Sequence, residues 1–182
     1  PGDTVVEFAG FGNYYTTMLA EIVGEQGQVH MYDLPYTGRF GGAGNVAFVG
    51  EHPQVAYHLV NYNNLSFPQD VDVVYNVLYY HDLMLNDIDV AALNRKIFAG
   101  LKPGGVFLSS DHNARPGSGT QDTPTLHRID PEVIKAEVMA AGFELAAQSD
   151  MLGNPADDHS EGPFAEGMRG MSDRTVFKFV KP

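Results

Sequence analysis

The chain has 182 residues, of which 43% are hydrophobic and 19% are charged, and it contains no cysteine. These values predict one globular domain over residues 1–182, and they exclude a disordered chain, disulfides, thiolate metal sites and cysteine nucleophiles. Acidic residues outnumber basic ones by 23 to 11, and the net charge of -12 argues against nucleic acid or an anionic membrane as a partner.

The first half of the sequence predicts strands that alternate with helices or loops. The apolar run Thr4–Phe8 predicts a buried strand, and a turn over residues 9–13 leads into a helix over Tyr14–Val23 that ends at Gly24. Later segments predict a second strand over 28–33, an irregular loop over 36–45, a third strand over 55–62 and a fourth over 71–78.

The second half continues this alternation. Residues 89–101 have one apolar stripe and predict a helix, which Lys102-Pro103-Gly104-Gly105 ends before a fifth strand over 106–110. An irregular loop is predicted over 113–125. Asp130 followed by Pro131 predicts the start of a helix that runs to Ala141.

Two final strands are predicted over 143–148 and 175–180. A Gly- and Pro-rich insert over 153–172 joins them without a helix, which predicts an antiparallel pair at the sheet edge. The fold class is therefore α/β, a Rossmann-like doubly wound, mainly parallel sheet of about seven strands with a reversed edge strand.

The segment from the first strand to the second has the arrangement of a nucleotide-binding turn. Glu7 ends the first strand, Gly10 and Gly12 allow a ligand close to the backbone, and Asp33 ends the second strand, where an acid can accept ribose hydroxyls. The alternative is that a tight strand-to-helix turn needs its glycines without any ligand.

At four places the sequence resembles class I S-adenosylmethionine-dependent methyltransferases. These are the turn Val5-Val6-Glu7-Phe8-Ala9-Gly10-Phe11-Gly12-Asn13, the strand end at Tyr32-Asp33, the strand from Asp72 to Leu78, and Leu101-Lys102-Pro103-Gly104-Gly105. A narrower resemblance is to a bacterial family of predicted methyltransferases, through His81-Asp82-Leu83, Asp111-His112-Asn113-Ala114, Gly117-Ser118-Gly119, Leu126-His127-Arg128-Ile129-Asp130, Asn154-Pro155-Ala156-Asp157-Asp158 and the segment from Arg169 to Arg174.

The resemblance implies S-adenosylmethionine as cofactor and a small-molecule acceptor. It places Glu7 and the backbone of Gly10–Gly12 at the methionine part and Asp33 at the ribose. Asn63 or Asn64 would lie near the adenine, and Asn76 and Val77 near the methyl group. It also implies an N-terminal helix of the fold that this chain does not include.

The glycines depart from the family pattern, which has glycine two, four and six residues after the acid. Here those positions hold Ala9, Phe11 and Asn13, whereas the glycines stand at 10 and 12. Either Phe11 blocks the path of the cofactor or a one-residue bulge restores the turn.

A second group of polar residues follows the fourth and fifth strands. We predict His81, Asp82, His112 and His127 as catalytic residues, with His81 or His112 as the base that removes a proton from the acceptor. Carboxylate partners for these rings are Asp82 for His81 and Asp111 for His112. Asp130 is interpreted as a helix cap.

Several residues have a structural interpretation beside the functional one. Asp157 and Asp158 either belong to the site or tie the late loop, with Arg169 or Arg174 as partner. We predict no metal site, because no close His-x-His or Glu-x-x-His spacing occurs. The aromatic residues Tyr14, Tyr15, Tyr79 and Tyr80 either line a pocket or pack in the core.

Three hypotheses follow. The first is a methyltransferase acting on a small molecule. The second is a protein of the same fold that has lost the cofactor and uses its His/Asp residues as a hydrolase, lyase or isomerase. The third is a binding module without catalysis. We expect the cytoplasm, with the periplasm as alternative because any signal segment would precede Pro1, and the oligomeric state is left open.

Overall fold

A computed structural model describes residues 1–10, 12–36 and 38–182, with the backbone alone over residues 38–41. Seven strands form one sheet in the order β3-β2-β1-β4-β5-β7-β6. The strands are β1 (Thr4–Phe8), β2 (Gln28–Asp33), β3 (Val55–Leu59), β4 (Val71–Val77), β5 (Leu101–His112), β6 (Glu144–Leu152) and β7 (Arg174–Val180). The first five in space are parallel, and β7 is antiparallel to both β5 and β6. The predicted fold class, with its reversed edge strand, is confirmed.

Six helices are present in the described part of the chain. They are α1 (Tyr14–Val23), α2 (Gly38–Glu51), α3 (Tyr80–Leu85), α4 (Val90–Gly100), α5 (Thr123–Leu126) and α6 (Pro131–Ala140), and a 3-10 turn covers Tyr62–Asn64. None of them has the length and apolar character that crossing a membrane requires.

The core has two clusters, one for each face of the sheet. Val5 packs with Ala20 and Val23 of α1 in one cluster. The next residue along β1, Val6, belongs to the larger cluster, which includes Ile97 of α4. Because successive residues of a strand point to opposite faces, β1 is buried on both sides and reads in sequence as a continuous apolar run.

Helix α2 corrects the prediction of an irregular loop over 36–45. The segment is rich in glycine, which disfavours a helix in isolation. Its helical form is stabilised by tertiary contacts: Phe48 and Val49 pack against the smaller core cluster, and Asn45 is fully buried.

Other boundaries also differ from the prediction. The third strand ends at Leu59, three residues early, because the chain turns into the 3-10 segment. β5 begins at Leu101 and passes through the predicted break with a bulge, so that Val71 pairs with Leu101 and Val73 with Val106. Helix α3 was not predicted, and α5 lies partly within the predicted loop over 113–125.

Candidate functional site

Glu7 lies at the carboxyl end of β1 with its side chain almost fully buried. Its Oε2 accepts a hydrogen bond from the Thr16 hydroxyl of α1 at 2.6 Å. Burial raises the pKa of Glu7 to about 7, with the Asp33 charge adding to the shift and the Thr16 hydrogen bond opposing it. The carboxyl therefore lies near its titration midpoint at neutral pH. Together with other residues it lines a cavity of about 150 Å³, formed with Ala9, Gly10, Tyr14, Tyr15, Val77 and Leu78.

Asp33 ends the neighbouring strand β2 and is fully buried. Its Oδ2 accepts hydrogen bonds from Asn45 Nδ2 at 2.9 Å and from the Tyr57 hydroxyl at 3.1 Å. Its Oδ1 is buried without a side-chain partner among the residues described. Burial raises the pKa of Asp33, opposed by these hydrogen bonds and by the Gly10 N–H. A buried carboxylate oxygen left unpaired is able to accept a hydroxyl of a ligand.

The turn after β1 has a left-handed backbone at two positions where the family pattern has glycine. The φ angles are 60° at Ala9 and 57° at Asn13, and Gly12 has φ 83°. β1 pairs with β2 in unbroken register, so the strand itself contains no bulge. Phe11, at the middle glycine position of the pattern, lies outside the described residues. The prediction that its ring blocks the cofactor therefore lies outside them as well.

Gly10 has a packing reason to be glycine. A Cβ built there would overlap the Met31 side chain of β2. This glycine therefore allows the turn to pack against Met31, whether or not a ligand is bound.

The predicted asparagines occupy different surroundings. The side chain of Asn63 joins the 3-10 turn to the backbone of Asp87 and Asp89, whereas Asn64 is exposed at a shallow depression beside β3. Asn76 is buried near the end of β4, and its Oδ1 has no partner among the residues described. Val77, next to it, lines the cavity beside Glu7.

His81 lies at the start of α3 and is held by Asp111, the penultimate residue of β5. The His81 backbone N–H donates to Asp111 Oδ2 at 2.8 Å, and the ring Nδ1 lies 2.8 Å from Asp111 Oδ1. Burial lowers the pKa of His81, but the charge and hydrogen bond of Asp111 and the charge of Asp82 outweigh it and raise the pKa overall. The main carboxylate partner of His81 is thus Asp111 and not the predicted Asp82.

The other ring nitrogen of His81 faces two further side chains. Its Nε2 lies 3.3 Å from His127 Nδ1 and 3.4 Å from Asp82 Oδ1, and the latter two atoms are 3.5 Å apart. We refer to His81, Asp82 and His127 as the histidine cluster. His127 follows α5 with a left-handed φ of 51°, and its ring packs edge-on against Phe164. Three predicted catalytic residues are therefore together in space.

The fourth predicted catalytic residue, His112, adds no ligand atom to this cluster, although its ring centroid lies 6.0 Å from that of His81. Its Nδ1 is 2.7 Å from Ser172 Oγ, and only its backbone N–H contacts the Asp111 carboxylate. Burial, together with the charges of His81, Arg174 and Arg128, lowers the pKa of His112 to about 4 despite the opposing charge of Asp111. His112 is therefore a weak base, and the prediction of an Asp111–His112 side-chain pair is wrong because adjacent strand residues point to opposite faces.

Arg128, next to His127 in the sequence, attaches the insert over 153–172 to the rest of the domain. This side chain is fully buried, donates from Nη2 to both carboxylate oxygens of Asp157 at 3.0 and 2.8 Å, and also binds the carbonyl oxygens of Glu161 and Asn113. The partner of Asp157 is thus Arg128 and not Arg169 or Arg174. Asp130 caps α6 as predicted, through the Glu132 N–H.

The four tyrosines divide between surface and core. Tyr14 is 71% exposed and Tyr15 half-buried beside the cavity at Glu7, whereas Tyr79 and Tyr80 are fully buried. Only the first pair is placed to line a pocket.

Comparison by sequence finds no protein-family model and no curated protein that matches the chain. Comparison by structure does find matches. A SAM-dependent methyltransferase from Aquifex aeolicus superposes with a TM-score of 0.69 at 14% identity, covering 100% of this chain and 83% of that one. The chain therefore has the fold of class I methyltransferases.

Two other solved structures extend the comparison. Geranyl diphosphate C-methyltransferase from Streptomyces coelicolor, in complex with Mg²⁺, geranyl diphosphate and S-adenosyl-L-homocysteine, has a TM-score of 0.70 at 12% identity, covering 99% of this chain and 73% of that one. The (4+2)-cyclase SpnF has a TM-score of 0.70 at 16% identity, covering 100% and 75%. The same fold thus supports two different reaction types.

Proposed function

We propose that the protein is an S-adenosylmethionine-dependent methyltransferase that acts on a small-molecule acceptor. The observation that supports this most directly is the pair of buried carboxylates at the adjacent carboxyl ends of β1 and β2. Glu7 has one oxygen bound to Thr16 and lines the cavity beside the turn, and Asp33 has one oxygen bound to two side chains and a second, buried oxygen without a partner among the described residues. In an open α/β sheet this edge is where ligands bind.

The residues at this edge fit the cofactor. Glu7 would hold the ammonium group of the methionine part, and Asp33 Oδ1 would accept a ribose hydroxyl. The left-handed backbone at Ala9 and Asn13 supports the turn that the cofactor needs, without glycine at those two positions. S-adenosylmethionine supplies a methyl group on a sulfonium, which the lone pair of an acceptor attacks in line.

The acceptor side of the site is the histidine cluster. Since Asp111 holds the Nδ1 side of His81, the Nε2 side is directed toward His127 and Asp82. His81 is therefore the better candidate for the base than His112, whose ring is bound to Ser172. The net charge of -12 argues against a nucleic-acid acceptor.

A second candidate function is chemistry at the histidine cluster without methyl transfer, as a hydrolase, lyase or isomerase. The structural similarity to SpnF, a cyclase, supports this second candidate. It requires no cofactor at Glu7 and Asp33, which separates it from the first proposal.

The test is calorimetric titration of the purified chain with S-adenosylmethionine and S-adenosylhomocysteine. We expect binding in the micromolar range, weakened about 10- to 100-fold by Asp33→Asn, which alters a hydrogen bond to a charged group. The exposed Asp150→Asn is the matched control and should bind as the unaltered chain does. A folded chain that binds neither compound at millimolar concentration would contradict methyl transfer and favour the second candidate.

A further inference from the structure

The three ligand atoms of the histidine cluster form a nearly equilateral triangle. The distances are 3.3 Å between His81 Nε2 and His127 Nδ1, 3.4 Å from His81 Nε2 to Asp82 Oδ1, and 3.5 Å from His127 Nδ1 to Asp82 Oδ1. Ligand atoms bound tetrahedrally to Zn²⁺ at about 2.0–2.1 Å are separated by about 3.4 Å from one another. We propose that His81, Asp82 and His127 bind one divalent transition-metal ion, with Zn²⁺ the best match.

The orientation of His81 supports a metal. The N–H at Nδ1 is directed at Asp111 Oδ1, which leaves a lone pair on Nε2 toward the centre of the triangle. Asp111 is itself immobilised, because it accepts the backbone N–H groups of both His81 and His112. A carboxylate that orients a histidine from behind is a common arrangement at metal sites.

The donor set selects the class of metal. Two imidazole nitrogens and one carboxylate oxygen suit Zn²⁺, Fe²⁺, Co²⁺ or Mn²⁺, whereas Mg²⁺ prefers oxygen ligands. Three protein ligands leave at least one coordination position open, as in catalytic zinc sites. The side chain of His127 is 38% exposed, so an ion can reach the cluster from solvent.

Sequence spacing does not reveal this site. No metal site was predicted, because the sequence has no close His-x-His or Glu-x-x-His spacing. Here His81 and Asp82 are adjacent on α3, and His127 follows α5, 45 residues further along the chain than Asp82.

A metal would also change the role of His81, in a step that rests on the proposed methyl transfer. A nitrogen bound to a metal cannot accept a proton. The ion would instead bind the acceptor through oxygen and lower the pKa of its hydroxyl, which loses its proton to solvent. The oxygen lone pair then forms the bond to the methyl carbon as the carbon–sulfur bond breaks toward sulfur. The acceptor class this selects is an alcohol, phenol or enol.

The experiment uses the full chain without a histidine tag, stripped with EDTA and titrated with Zn²⁺ by calorimetry. We expect one ion per chain, with a Kd in the micromolar range or below. His127→Ala and Asp82→Asn each remove a ligand from a partly exposed position and should weaken binding by at least about 100-fold. Asp111→Asn acts only through His81 and should weaken it about 10- to 100-fold. With Co²⁺ as probe, the visible absorption of a four-coordinate ion should appear in the unaltered chain and be lost in His127→Ala.

His52→Ala, which removes a histidine from the end of α2, is the matched control and should leave Zn²⁺ binding unchanged. The inference is overturned if the folded chain fails to bind Zn²⁺ at about 1 mM. It is equally overturned if His127→Ala and Asp82→Asn bind as tightly as the unaltered chain. Titration of the same variants with S-adenosylhomocysteine reports on the cofactor side alone, so failure of the proposed methyl transfer and failure of the metal site are distinguishable.

Discussion

The turn after β1 and the histidine cluster lie at the same edge of the sheet but are built in different ways. In the turn, backbone conformation is the main feature: Ala9 and Asn13 adopt left-handed angles at positions where the family pattern has glycine. In the histidine cluster, two side chains of α3 and one that follows α5 meet within 3.5 Å of one another, and Asp111 of β5 holds His81. A sequence pattern records the residue types of a turn but not its dihedral angles. Conversely, it records the histidines but not which carboxylate holds them.

The largest expected effect on stability comes from a substitution next to the histidine cluster. Arg128→Met removes the buried guanidinium that binds Asp157 and thus one attachment of the segment over 153–172. We expect the unfolding free energy to fall by about 3–5 kcal/mol, because the buried Asp157 carboxylate loses its charged partner and keeps only the backbone N–H groups of His159 and Asp173. Urea denaturation measures this.

Arg115→Met is the matched control, since the Arg115 side chain is 64% exposed and lies 3.4 Å from Asp122. It should cost less than about 1 kcal/mol. Equal losses in the two variants would show that Arg128 has no special role. A folded Arg128→Met chain should still bind S-adenosylhomocysteine, because Arg128 makes no contact with the turn after β1 in the described part of the chain.

The next effect concerns the cofactor side. The pKa of Glu7 is about 7 in the folded chain against a reference of 4.5, so the folded state holds the proton to higher pH than the unfolded state. Stability therefore falls as pH rises from 4.5 to about 7 and is level above that. Glu7→Gln keeps an acceptor for Thr16 without the charge. It should be more stable than the unaltered chain by on the order of 3 kcal/mol at pH 8, with little difference at pH 4.

Denaturation midpoints across this pH range test the prediction, with the exposed Glu25→Gln as control. A gain that is the same at every pH would show that the effect does not come from titration of Glu7. The same reasoning predicts that S-adenosylhomocysteine binds more weakly below pH 7, because its ammonium group would pair with the ionised Glu7.

The smallest expected effect on stability tests the backbone conformation of the turn after β1. Ala9→Gly relieves a left-handed angle that disfavours any side chain, and it should stabilise the chain by about 0.5–1 kcal/mol. Ala91→Gly, on the exposed surface of α4, should destabilise it by about 1 kcal/mol. A loss of stability in both variants would mean that Ala9 does not adopt this angle in solution.

β1 was predictable because it is a continuous apolar run buried on both faces. β1 and α1 match the predicted bounds, and β2 ends at Asp33 as expected. Helix α2 was not predictable from local sequence, because its glycines oppose a helix and only the contacts of Phe48, Val49 and Asn45 favour it.

The residues of the candidate site were predictable from the sequence, but the hydrogen bonds between them were not. His81, Asp82 and His127 were identified from their positions after predicted strands and at a helix start. The pairing of His81 with Asp111 depends on the register of β4 and β5, which no local pattern encodes. Thr16, Asn45 and Tyr57, which bind the two buried carboxylates, had no feature in the sequence that distinguished them.

Arg128 has a consequence for the acceptor side of the proposed site. Lifting the segment over 153–172 away from the sheet would separate the guanidinium from Asp157, and the cost of about 3–5 kcal/mol makes this segment unsuited to act as a moving lid. Phe164 differs, because its ring is 78% exposed and only touches His127 from outside. Rotation of such a ring takes picoseconds to nanoseconds. Under the proposed function, an acceptor would reach His127 past this one aromatic side chain, beside a segment that Arg128 holds in place.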